Sequence, residues 1–189
     1  VLRTCIPQLW KILIFPSSAI GLLQPPITFS FSPLLARLWG VLVLLFIGIG
    51  VGVVIFTGAC VAPVIFKTSS ILPTPLTRYD AGILMSHIFI RSNWVLNALA
   101  CILVLDSLIL KKAILLRLSH LASSVLIFLF SFYYTPFILR AQSLGSVYTT
   151  SEKFIQMHAQ SEIIFKILLT LLCFSFVSRA LRNMPKTSH

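Results

Sequence analysis

Three ionisable residues, His158, Glu162 and Lys166, recur at intervals of four, a spacing that places them on one face of a helix. Ionisable groups beside hydrocarbon are costly, and they usually face a bundle interior or water. Two chemistries fit this face. One is a ligand or proton site; the other is an ion pair where the helix meets the membrane, with the histidine at headgroup level. His87 and Arg91 share a face in the same way, with Asp80 upstream. If His87 and His158 meet at one surface, their imidazole nitrogens are candidate ligands for a metal ion or haem. The candidate ligand-binding set is therefore His87, Arg91, His158, Glu162 and Lys166, with His87 and His158 as the metal candidates. No catalytic residue stands out, and the identity of any cofactor stays open. The chain has no P-loop, GxSxG, HExxH or dinucleotide fingerprint, which argues against an ATP-driven pump or a soluble-type hydrolase.

The elements that must position these residues follow from composition. Of 189 residues, 58% are hydrophobic and only 10% charged, with a mean hydropathy of +1.00. A soluble domain of this size could not cover so much apolar surface with so few charges, whereas hydrocarbon removes the need for a polar shell. The net charge of +11 comes from 15 Lys and Arg against 4 acids. Most cations flank apolar runs, where they meet lipid headgroups, so lipid rather than nucleic acid is the expected partner. The expectation is an all-α integral membrane four-helix bundle.

Four spans are expected at about 38–61, 94–110, 118–137 and 159–178, within a transmembrane domain over 37–182. Residues 1–36 are apolar but broken by Lys11, Pro16 and Pro25-Pro26, and read as an interfacial or disordered arm. The chain begins with Val rather than Met, which leaves open whether the arm is native. Residues 183–189 form a C-terminal tail. Gly40, Gly48, Gly50, Gly52 and Gly58 stud the first span, and such small faces let another helix approach, within the chain, in a second copy or in a membrane partner. Arg78–Arg91 is a charged and apolar mixture expected to run straight into the second span. Nine cations on the side of the termini against six on the other favour both termini in the cytoplasm.

An internal repeat organises the spans. Ala62-Pro63-Val64-Ile65-Phe66-Lys67 leaves the first, and Thr135-Pro136-Phe137-Ile138-Leu139-Arg140 leaves the third. Met85 and His87 follow the one, Met157 and His158 the other. Each half is then an outgoing helix with a terminal proline, a loop, and a returning helix headed by histidine, giving two parallel helical hairpins. Coincidence in apolar sequence is the competing explanation. Asp106 is expected to snorkel toward Lys111-Lys112, and Asn93 with Asn97 to supply interhelical hydrogen bonds. Cys60, Cys101 and Cys173 sit in or near apolar runs with no metal-binding spacing, as small hydrophobes.

Phe56-x5-Ala62-Pro63-Val64-Ile65-Phe66, Ala81-Gly82 with Ile88-Phe89-x-Arg91, Tyr134-x-Pro136-x-Ile138, and Phe154-x3-His158-x2-Ser161 resemble the bacterial four-helix membrane family known as domain of unknown function 4149. The resemblance covers about residues 38–180. It implies a four-span protein of the bacterial inner membrane, with Pro63, Gly82, Arg91, Pro136 and His158 as pattern positions, and it carries no catalytic role across. The leading expectation is a protein that handles or transports a small molecule or metal ion at the outer ends of the second and fourth helices. The alternatives are a non-catalytic accessory or assembly subunit docking through the glycine-rich span, and a haem- or metal-binding redox protein.

Overall fold

The computed structural model describes residues 32–110 and 113–183. Among these residues there is no strand. Helix α1, Pro33–Ile55, passes through a π-turn at Phe56–Val61 into α2, Ala62–Phe66. Helix α3 runs over Arg78–Ile109. Helix α4, Ile114–Leu129, passes through a second π-turn at Phe130–Tyr134 into α5, Thr135–Ser143. A short α6, Ser146–Thr149, precedes α7, Glu152–Asn183. Four continuous rods result, Pro33–Phe66, Arg78–Ile109, Ile114–Ser143 and Glu152–Arg182, each long and apolar enough to cross a membrane. The chain is a multi-pass membrane protein.

The rods are longer than the expected spans, for a physical reason. A 32-residue helix is about 48 Å long, against about 30 Å of hydrocarbon. Apolar run length marks only the embedded part; the polar extensions Arg78–Arg91 and Glu152–Lys166 continue the same helices. Thr77 starts α3 with a cap in which its Oγ1 accepts from Asp80 N at 3.1 Å and donates to Asp80 Oδ2 at 2.6 Å. Asp80 is thus occupied as a helix cap. Residues 1–31, most of the expected arm, lie outside the described residues, as do Lys111, Lys112 and 184–189.

The core joins Val43 and Ile47 of α1, Leu99 and Leu103 of α3, Ile127 of α4, and Leu168 and Leu172 of α7. In lipid such packing gains dispersion contacts rather than escape from water, so close approach matters. Gly50 supplies it, because a Cβ there would collide with Leu99 and touch Leu172. Gly48 lies against Phe176, while Gly52 faces open space. The glycine-rich span therefore uses two of its small faces inside its own bundle. The opposite faces are apolar and bare, with Leu45, Val125, Phe132 and Val177 all more than half exposed, as lipid contact requires. Cys60, Cys101 and Cys173 lie on this exposed surface.

The two π-turns sit at equivalent places in the two halves, each immediately before the proline of the repeated motif. Proline has no N–H and breaks the α-helical ladder. The residue ahead of it reaches one position further back: Ala62 N donates to Thr57 O, and Thr135 N to Phe130 O. Threonine hydroxyls add further ties to carbonyls at or just before each turn, with Thr57 Oγ1 donating to Val53 O at 2.8 Å and Thr135 Oγ1 to Phe130 O at 2.9 Å. The motif shared by sequence is thus shared in backbone geometry.

Candidate functional site

Residues of both π-turns, Gly58, Ala59 and Phe130 among them, line an opening between the rods. This cleft of about 1370 Å³ lies at the end away from the start of α1 and the end of α7, between α1–α2, α3, α5 and α7. Its floor is aromatic. Phe89 of α3, Phe130 of the second π-turn and Phe165 of α7 form a triangle with centroid separations of 5.4, 5.5 and 5.1 Å. Small residues of the first π-turn, Gly58 and Ala59, leave the space above Phe165 unfilled. The rim is polar. Arg78, Tyr79 and Gln142 line it on one side, and Tyr79 donates to the Gln142 carbonyl at 2.6 Å, tying α3 to α5.

The opposite wall carries three of the residues singled out by spacing. His158 Nε2 stands 3.4 Å from Glu162 Oε1, and Lys166 Nζ stands 3.9 Å from Glu162 Oε2. All three line the cleft and are about half exposed or more. Phe154 stacks on the imidazole, with ring planes 5° apart. One carboxylate thus lies between two basic groups on a wall open to solvent. His87 and Arg91 are exposed on α3 but do not line this cleft. No group of three or more His, Cys, Asp or Glu side chains arranged to hold a metal occurs among the described residues.

A second polar cluster lies at the other end of the bundle, fully inside it. Asp106 Oδ1 accepts from Trp39 Nε1 at 2.8 Å and from Arg179 Nη2 at 2.9 Å. Its Oδ2 stands 3.1 Å from His120 Nδ1. Asp106 and His120 are 0% exposed and Arg179 is 7% exposed. The expectation that Asp106 snorkels out toward Lys111-Lys112 is therefore corrected: its carboxylate points inward and binds groups brought by α1, α4 and α7. Ser119 and Ser175 share a 2.8 Å hydrogen bond beside it, joining α4 to α7. Sequence reasoning overlooked His120 and counted Arg179 only as an orienting cation. The signal was present in Ser119, His120, Ser123 and Ser124, a polar stripe of helical spacing inside an apolar span.

Residues 45–146, more than half of the chain, match the family profile described as Domain of unknown function (DUF4149). The chain belongs to this family. The matched stretch holds both proline motifs, both π-turns and the Asp106–His120 pair. It ends before α7, so His158 and Arg179 fall beyond it. No curated protein and no solved structure matches the chain.

Proposed function

We propose that this protein binds an amphipathic small molecule with an anionic head in the cleft and moves it between the bilayer and the outer surface. The observation that carries the reading is the cleft, an aromatic floor joined to a charged rim, flanked by two proline-broken rods. Apolar pockets with a few convergent polar groups are the usual form of small-molecule sites. Helices broken near the binding region, in corresponding positions of two halves, are a recurring device of membrane transporters. The rim brings Arg78 and Lys166 against the single acid Glu162, a balance that favours an anionic head. The excess of cations on the side of the termini supports a cleft facing away from the cytoplasm of a bacterial inner membrane.

A metal-ion cargo has weaker support. His158 already pairs with Glu162, and His87 lies off the cleft wall, so the donor set there is small. The haem or redox reading depends on the same two histidines. The accessory-subunit reading retains Gly52 as an open small face, since Gly48 and Gly50 pack within the bundle.

The test is binding of dodecyl phosphate to the protein in lipid nanodiscs, with dodecyltrimethylammonium and Zn²⁺ as comparisons. Saturable binding of the phosphate is expected, lost in Gly58→Leu, whose side chain would fill the space beside Phe165. Non-saturable partitioning that is equal in the variant would sink the proposal.

A further inference from the structure

The buried cluster contains one carboxylate and two potential cations, and neither cation grips it fully. Arg179 uses a single nitrogen, Nη2, on Asp106 Oδ1, while its Nε has no partner. A settled arginine–carboxylate pair is commonly two-pronged. His120 Nδ1 lies at ion-pair distance from Oδ2 but off hydrogen-bonding alignment, and His120 Nε2 has no partner although the ring is fully buried. Buried polar atoms are nearly always partnered, so a cluster with spare donors and acceptors on both sides has room for a second arrangement.

Charge balance identifies that arrangement. Asp106 with Arg179 is already neutral, so a protonated His120 in the same place would leave an uncompensated positive charge in a low-dielectric interior. Among the described residues, the ionisable groups at the cluster are Asp106 from α3, His120 from α4 and Arg179 from α7. Helix α1 contributes the neutral Trp39, and the neighbouring Ser119 and Ser175 are neutral too. One group must therefore leave when a proton arrives. Arg179 is free to do so: it lies one turn from the end of α7, and its long stem can carry the guanidinium out to headgroup level. His120, six residues into α4 and fully buried, cannot.

We propose that Asp106 and His120 form a buried proton-binding site in which the carboxylate exchanges Arg179 for protonated His120. The proton comes from water and rests on the imidazole; Arg179 keeps its own charge and takes it to the interface. High pH holds α7 to α3 through Arg179, and low pH releases that end of α7. The same helix carries the Phe165, Glu162 and Lys166 wall of the cleft, so the switch would act on the cleft from below, whatever occupies it.

Trp39 is a built-in reporter, since its indole N–H is bonded to the switch carboxylate. With Trp10 and Trp94 replaced by Phe in the full chain in nanodiscs, emission arises from Trp39 alone. Acidification from about pH 8 to about pH 5 is expected to change that emission in one reversible step. His120→Gln should abolish the step, and Arg179→Gln should hold emission at its acid value throughout. A flat response in the parent chain, or a step that survives in His120→Gln, overturns the proposal. Because either substitution can weaken the fold, nitrogen-15 histidine NMR on the unsubstituted chain supplies a second measure. Both ring nitrogens of His120 should carry protons at the acid end and only one at the alkaline end. A ring in one charge state throughout would equally overturn the switch.

Discussion

Asn93 on α3 donates through Nδ2 to the hydroxyl of Thr135, the residue that precedes Pro136, at 3.1 Å. The same hydroxyl donates to Phe130 O, so one threonine closes the π-turn and docks it on the neighbouring helix. Thr135→Val keeps the shape and removes both bonds, leaving a buried amide without a partner. We expect a loss of about 1 kcal/mol, the usual size for interhelical hydrogen bonds in membranes. Thr135→Ser should retain most of it, and thermal unfolding in detergent micelles provides the comparison.

Gly50 and Gly52 are two residues apart and should respond in opposite ways. A side chain at Gly50 collides with Leu99, whereas one at Gly52 meets nothing within 4 Å. Gly50→Leu is expected to cost about 1–3 kcal/mol through overpacking, and Gly52→Leu to leave the melting temperature near its parent value. Equal destabilisation would contradict the packing described. Loss of self-association in Gly52→Leu alone, read by cross-linking in nanodiscs, would point to a helix partner at that face.

Removing one member of the buried charge cluster should hurt more than removing two. Asp106→Leu leaves Arg179 without a counter-ion, so it either stays buried unpaired or withdraws to the interface and leaves α3 and α7 unjoined; breaking a buried pair in this way costs up to about 3–5 kcal/mol. Adding Arg179→Leu removes that unpaired charge and should recover most of the loss. A double-mutant cycle by denaturant titration checks the coupling, and strictly additive losses would show that the two residues act separately.

The cleft wall calls for the opposite pattern. The pairs made by Glu162 are about half exposed, so Glu162→Gln should change stability little, as exposed ion pairs generally contribute under about 1 kcal/mol. It should strengthen dodecyl phosphate binding several-fold, because the one acid between His158 and Lys166 loses its charge. An unchanged affinity would reduce this face to a membrane anchor.

The four rods and their lipid-facing character were legible because apolar run length is a strong signal, and the proline motifs pointed to the positions where both rods break. What the breaks look like was not legible. A π-turn adds one residue to a turn without changing composition, so only the threonine before Pro136 and the small residues before Pro63 hint at it. His158, Glu162 and Lys166 could be placed together because they lie on one helix. Asp106 could not be matched to its partners, which come from three other elements; the nearest cations in sequence, Lys111 and Lys112, drew it in the wrong direction. His120 escaped notice as a lone histidine in an apolar span, although its neighbouring serines follow the same face.

The π-turns also reset the phase of each rod. One extra residue rotates everything beyond it by about 100° relative to an unbroken α-helix. Side chains spaced for the core below Thr57 are therefore spaced for the cleft above it, and the same holds across Ser131 on the third rod. A single-residue deletion within Phe56–Val61 or Phe130–Tyr134 would turn the outer third of its rod toward lipid without altering one core contact beneath. Such a deletion would separate the cleft-bearing end of this molecule from its folded base, a distinction that no substitution can draw as cleanly.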